Sequence, residues 1–171
     1  MPTLHLLRHA KSSWDDLRVR DHDRPLSERG ERGAAAMAAY LRQSGIAPDL
    51  VLCSSARRTV DTLARLRSGL PEPLKVETRR ELYEVGADDL LEVLRRVPGS
   101  IGVVMLVGHN PGLEDLATTL AGSDSDPGAR KALGRKFSTG ALATLAFDGA
   151  WATLEAGAAR LTRFITPKDL V

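Results

Sequence analysis

The chain has a single cysteine, Cys53, which excludes an intramolecular disulfide and any metal cluster built on cysteine. Long hydrophobic runs are also missing. The longest, IGVVMLVG at positions 101–108, falls far short of the ~20 apolar residues of a membrane span. The N-terminus lacks the basic-then-apolar pattern of a secretory signal. A soluble, unexported, cytoplasmic protein is expected. Charge of one sign is scarce as well: 24 Lys and Arg against 22 Asp and Glu leave a net charge of only +2. That is a slight basic excess rather than the broad basic surface of a nucleic-acid binder. Neither nucleic acid nor a membrane is therefore an expected partner. There is no Gly-rich dinucleotide loop and no phosphate-binding GKS/T motif. No His-x-x-x-His or clustered carboxylate pattern accompanies His9 or His109, so neither a metal nor another cofactor is expected.

What is present is an alternation of strand-like and helix-like segments. Apolar runs occur at TLHLL (3–7), DLVLCS (49–54), LKVET (74–78) and IGVVMLVG (101–108), with helical periodicity between them. This alternation predicts an α/β layered fold with a largely parallel sheet. The first helix is expected to start at Ser27 as its N-cap and to stop at Gly45. ADDLLEVLRRV forms another helix ending at Pro98-Gly99, and a further one begins around Asn110-Pro111. Toward the C-terminus, ALATLAF, Asp148-Gly149 and AWATLEA predict a β-hairpin with a tight Asp-Gly turn, and hence mixed strand directions at one side of the sheet. No repeat, low-complexity tract or long linker interrupts the chain, which is read as one domain spanning residues 1–171.

In open α/β sheets, ligands gather outside the carboxyl ends of the strands. Arg8 and His9 follow the first strand, Arg57 the second, and His109 the fourth. Each alone is an ordinary polar strand end. Together they bring two arginines and two histidines toward one pocket. Arginines bind phosphate oxygens through charge-assisted, often bidentate hydrogen bonds, and a histidine in line with phosphorus can carry the phosphoryl group as a covalent intermediate. Nearby positive groups would lower its pKa and keep it neutral. A second histidine would stabilise charge on the equatorial oxygens.

These residues lie in motifs that resemble those of the histidine phosphatase superfamily, the phosphoglycerate mutase-like proteins. LLRHAKS is similar to the Arg-His motif, SSARRTVDT to the second-arginine motif and VGHNPG to the second-histidine motif, in the same order and spacing. Within the superfamily, RPLSERG (24–30), STGAL (138–142) and FITPKDL (164–170) resemble the short SixA-like phosphohistidine phosphatases. The resemblance implies a three-layer α/β/α sandwich with a mixed, mainly parallel central sheet. It further implies His9 as nucleophile, Arg8, Arg57 and His109 as the rest of the phosphate pocket, and Arg24 as an additional pocket arginine. The substrate would be a phosphorylated protein or a small phosphorylated molecule.

Larger superfamily members supply a carboxylic acid that protonates the leaving oxygen. Here Glu81 and Glu84, with Asp21 and Asp23, are the candidates. An alkoxide needs such a donor, whereas a departing imidazole is a weak base with a pKa near 6.5. Lack of the acid would favour phosphoramidates, and the absence of a long lid-like insertion suits a phosphate displayed on a protein. Two other readings compete: a phosphatase of sugar or lipid-linked phosphates, and a non-catalytic phosphoprotein-binding module, which would not require His9. A cysteine-dependent mechanism does not fit, because Arg57 and Arg58 follow Cys53 too closely; Cys53 is expected to be a small buried hydrophobe. His5 is expected to pack in the first strand, His22 to sit in a polar loop, Asp88-Asp89 to start a helix and Asp124-Asp126 to lie in a solvated loop. Arg130, Lys131, Arg135 and Lys136 form a basic cluster, either a solvated face or a docking patch for an acidic partner.

Overall fold

A computed structural model describes all 171 residues. Six strands, β1 (Thr3–Arg8), β2 (Leu50–Ser54), β3 (Val76–Arg79), β4 (Val103–Gly108), β5 (Leu142–Phe147) and β6 (Ala159–Ile165), form one sheet. Its order is β3-β2-β4-β1-β5-β6. The pairs β3/β2, β2/β4 and β4/β1 are parallel, while β5 is antiparallel to both β1 and β6. Thus β5 alone runs against the rest. Helices α1 (Glu28–Ser44), α2 (Arg57–Leu66), α3 (Ala87–Arg95), α4 (Gly112–Leu120) and α5 (Pro127–Arg135) fill the connections. No helix is long and apolar enough to cross a membrane.

The central strands are buried on both faces, which is why they read as continuous apolar runs rather than alternating ones. Leu4 and Leu6 of β1 join a core with Leu106 of β4 and with α3, α4 and α5. Leu7 faces the other way, into a second core with Met105, Val107 and the α1 residues Met37, Ala38 and Leu41. The sheet therefore sits between two helical layers, the α/β/α arrangement expected. His5 shares the Leu7 face, is 5% exposed, and places Nδ1 3.0 Å from Thr144 Oγ on β5.

Helix α1 has the expected ends. Ser27 accepts a hydrogen bond from the Gly30 N–H, and Gly45 closes the helix in the left-handed region at φ 66°. Gly30 is required for a different reason: a Cβ there would lie 2.0 Å from the Lys11 carbonyl oxygen. That contact draws the start of α1 onto the loop leaving β1.

Two expectations need correction. The Asp148-Gly149 hairpin does not form, because β6 begins only at Ala159, paired with Phe147. Between them Trp151 is buried, donates from Nε1 to the Ile101 carbonyl at 2.7 Å and meets the Phe147 ring edge-on at 5.0 Å. Burying an indole with its N–H satisfied outweighs a favourable turn dipeptide. Helix α4 begins at Gly112, directly after the expected Asn110-Pro111 start, and the Asn110 side chain accepts from the Glu114 N–H at 3.2 Å. No predicted helix covers α5; Asp126, expected in a solvated loop, is its N-cap and accepts from the Ala129 N–H.

Candidate active site

Because β1 and β4 are adjacent and parallel, with Arg8 opposite Gly108, the next residue of each strand falls at the same level of the sheet edge. Those residues are His9 and His109, and their ring centroids are 5.3 Å apart. The His9 N–H donates to the Gly108 carbonyl at 3.1 Å, which continues the ladder one step and fixes the pair. With Arg8, Arg24 and Arg58 they line a cavity of about 210 Å³.

The His9 ring is oriented by its own chain. Nδ1 lies 2.7 Å from the Ala10 carbonyl, and since a carbonyl only accepts, Nδ1 carries the proton and Nε2 keeps its lone pair. Burial, reinforced by the guanidinium groups of Arg58, Arg8 and Arg24, lowers the His9 pKa to about 4 despite the bond to Ala10. The ring is neutral at pH 7. Burial is the main cause, ahead of the cations to which sequence reasoning gave the role. His109 lies lower still, at about 3, through burial and then the neighbouring His9 and Arg58. Its Nε2 is 2.8 Å from Ser54 Oγ at the end of β2. That hydroxyl also accepts from the Ala56 N–H, so its proton is free for Nε2, which leaves His109 Nδ1 as the donor nitrogen.

The arginine turned into the cavity from α2 is Arg58, not Arg57. Arg57 lies on the outer face of the helix, its side chain 58% exposed and paired with Asp61 at 3.4 Å. The buried face of α2 carries Thr59, Thr62, Leu63 and Leu66, and Arg58, four residues before Thr62, falls on that side. Helical phase in RRTVDTLARL was the signal that distinguishes the two arginines. Arg58 donates to the Asp21 carbonyl at 2.8 Å and to the Asp21 carboxylate at 3.1 Å. Arg24, 6% exposed, bonds the other carboxylate oxygen at 3.1 Å and Ser12 Oγ at 2.5 Å, with Trp14 stacked 3.6 Å from its guanidinium carbon. Tyr83 donates its hydroxyl to Asp21 at 2.5 Å.

Asp21 is thus a clip joining two cavity arginines, and this removes it from the candidate acids. Partial burial opposes its ionisation, but the Tyr83 hydrogen bond and the two arginines outweigh that and hold the carboxyl at about 2. Glu81 is exposed and bonded to Arg79 at 3.1 Å, away from the cavity. Asp23 is exposed beside His22. Glu84 lines the cavity and has a left-handed backbone, φ 53°, a conformation non-glycine residues adopt at a cost. His22 lies in a 3-10 turn, Asp21–Asp23, bonded to Ser55 Oγ at 2.9 Å and edge-on to Tyr83. Cys53 is fully buried, and burial pushes its thiol up to about 12.

Three buried donor nitrogens lack any partner: Arg8 Nε, Arg58 Nε and His109 Nδ1. Each such group costs ~1–3 kcal/mol. All three belong to residues lining the same cavity. Other atoms of Arg8 and Arg58 are held, Arg8 by the Phe137 carbonyl at 2.9 Å, so their positions are fixed. The arrangement is preorganised for a multivalent anion beside a neutral imidazole. No cluster of three or more His, Cys, Asp or Glu side chains is placed to hold a metal ion. Sequence reasoning missed the roles of Arg58, Asp21, Tyr83 and Ser54. Asp21 and Tyr83 come from segments whose approach to the cavity only the tertiary fold decides, whereas Ser54 ends β2 at the edge the sequence already pointed to.

The profile of the histidine phosphatase superfamily (branch 1) matches residues 4–95. An uncharacterised protein of Mycobacterium tuberculosis is 37% identical over 163 residues, covering 95% of this chain and all of its own. Among solved structures, a Nakamurella multipartitia protein assigned as the phosphohistidine phosphatase SixA is 38% identical with a TM-score of 0.84, covering 97% of this chain and 96% of that one. An Agrobacterium tumefaciens protein with the same assignment is 30% identical with a TM-score of 0.81, covering 98% and 99%.

Proposed function

The chain belongs to the histidine phosphatase superfamily, and from that premise we propose that this phosphatase hydrolyses phosphohistidine on proteins, without a metal, through a covalent phospho-His9 intermediate. The observation that carries the reading is the set of unpartnered donors, Arg8 Nε, Arg58 Nε and His109 Nδ1, beside an imidazole whose Nε2 lone pair is free. The similarity to proteins assigned as SixA supports the choice of substrate.

In the first step His9 Nε2 attacks phosphorus, and the P–N bond to the substrate breaks. The bonding electrons leave with an imidazole already protonated at its other nitrogen, so the leaving group is neutral and needs no acid. The positive charge that develops on His9 is shared with the Ala10 carbonyl through the Nδ1–H bond. Arg8, Arg58 and His109 hold the equatorial oxygens. In the second step water attacks the phosphorus and the bond to His9 breaks; both hydrogens of the water leave with the phosphate as dihydrogen phosphate, and His9 keeps its Nδ1 proton and regains the Nε2 lone pair. A cavity lined by Arg8, Arg24 and Arg58 repels a metal cation and neutralises the phosphoryl itself.

Brief incubation with a radiolabelled phosphohistidine protein and an alkaline quench should leave label on the enzyme. Turnover by a His9→Ala variant would sink the assignment. A second reading, hydrolysis of small phosphoesters, is favoured by Glu84, the carboxyl that lines the cavity. If Glu84 is a proton donor, Glu84→Gln lowers turnover of an alkyl phosphate at least about tenfold while phosphohistidine turnover stays within about threefold. Wild-type rates on the two substrates that differ by orders of magnitude, with no effect of the substitution, exclude that second reading.

A further inference from the structure

Beside the catalytic cavity lies a larger groove of about 700 Å³ that shares Arg8, Lys11 and Thr139 with it. Five exposed cations, Lys11, Arg29, Arg135, Lys136 and Lys168, line this groove from four separate parts of the chain. None of the five takes part in an ion pair. The one carboxylate among the lining residues, Asp169, is occupied by the Thr166 N–H and hydroxyl at 2.9 and 3.0 Å. In a protein of net charge +2 this is a strong local concentration of unpaired positive charge. The basic cluster of the sequence divides here: Arg135 and Lys136 enter the groove, while Arg130 bonds the Gly122 carbonyl.

We propose that this groove docks an acidic segment of the substrate protein, lying next to the phosphohistidine and seating it over His9. The inference rests on the phosphohistidine reading for its substrate and on the groove for its chemistry. A second phosphoryl group would call for buried, converging donors like those around His9; away from Arg8, at its border with the catalytic cavity, the groove's cations are exposed, and its lining includes the buried Ala10 and Phe164. Exposed cations from four segments around the apolar patches of Ala10, Ala132 and Phe164 match a polypeptide carrying carboxylates.

The test uses two fluorescent peptides, one rich in Asp and Glu and one with Asn and Gln in their place, each made with and without phosphohistidine. The unphosphorylated acidic peptide should bind at low salt at least about tenfold tighter than the neutral one. The preference should disappear in an Arg135→Glu/Lys136→Glu variant and fade as salt rises. With phosphohistidine present, kcat/KM should favour the acidic peptide by a similar factor, while free phosphohistidine is turned over equally by wild type and variant. Equal binding of the two peptides overturns the groove assignment, whatever the enzyme hydrolyses. So does tight binding of a small bisphosphate that the same variant abolishes. Binding of the acidic peptide with no hydrolysis of any phosphohistidine overturns the substrate reading and leaves the groove standing.

Discussion

Adjacent arginines at the start of α2 should differ sharply when replaced. Arg58→Ala removes a side chain 5% exposed in the fold, together with its two bonds to Asp21 and the unpartnered Nε in the cavity. Loss of one preorganised donor to a transferring group costs about 10²–10³ in rate, or ~3–4 kcal/mol at the transition state. The stability cost is smaller. Breaking a buried pair costs ~3–5 kcal/mol, but the Asp21 side chain is 40% exposed and keeps Arg24 and Tyr83, so solvent screening reduces this to ~1–2 kcal/mol. Arg57→Ala loses only an exposed i,i+4 pair with Asp61, about 0.3–0.5 kcal/mol, and should leave kcat/KM within about twofold. The assay is kcat/KM on phosphohistidine for both variants, with thermal melts to separate folding from catalysis. An Arg57→Ala variant as damaging as Arg58→Ala, or an Arg58→Ala variant within about threefold of wild type, would overturn the assignment of Arg58 to the phosphate pocket.

Three further outcomes follow from the same geometry. His5, His9 and His109 have folded pKa values of about 4, 4 and 3, all below the free value of 6.5. The stability tied to their neutrality is complete above pH 6.5 and is lost as pH falls toward 4, with a slope nearing three protons, or ~4 kcal/mol per pH unit. Urea titrations across pH 7 to 4 measure that slope, and His5→Gln should reduce it by about one proton. Cys53, fully buried with its thiol near 12, should resist a thiol reagent at pH 8 until urea is added, and activity should survive the treatment. Gly30→Ala forces a Cβ against the Lys11 carbonyl; a loss of ~1–3 kcal/mol in melting experiments, with KM raised through the displaced Lys11–Ser12 loop, is expected.

Much of the fold was legible because local and tertiary preferences agree. Ser27 and Gly45 delimit α1 by their own backbone chemistry, and the buried parallel strands announce themselves as apolar runs. His9 and His109 could be placed at one edge because each ends such a run. Legibility failed where two local signals competed. Asp148-Gly149 is a good turn, yet Trp151 three residues from Asp148 needed a buried site and an acceptor for its N–H, and found both near Ile101. Arg57 and Arg58 differ by one position in a helix whose boundary had to be known before its phase could be used. Asp21 was ambiguous because its role depends on two arginines and a tyrosine, the tyrosine 62 residues away.

The position of β4 between β1 and β2 has a consequence for how the protein is made. Strand β1 is hydrogen-bonded only to β4 and β5, which follow it by roughly 100 and 140 residues. At a ribosomal rate of ~5–20 residues per second, the segment carrying His9 is synthesised about 5–20 s before the strand that carries His109. A nascent chain that has reached residue 95 holds β1, β2 and β3 but lacks the strand that joins β1 to the other two. Pairings so distant in sequence form slowly and late. Catalysis is therefore a reporter of finished folding: in refolding experiments activity returns with the slow tertiary phase, after the helical signal.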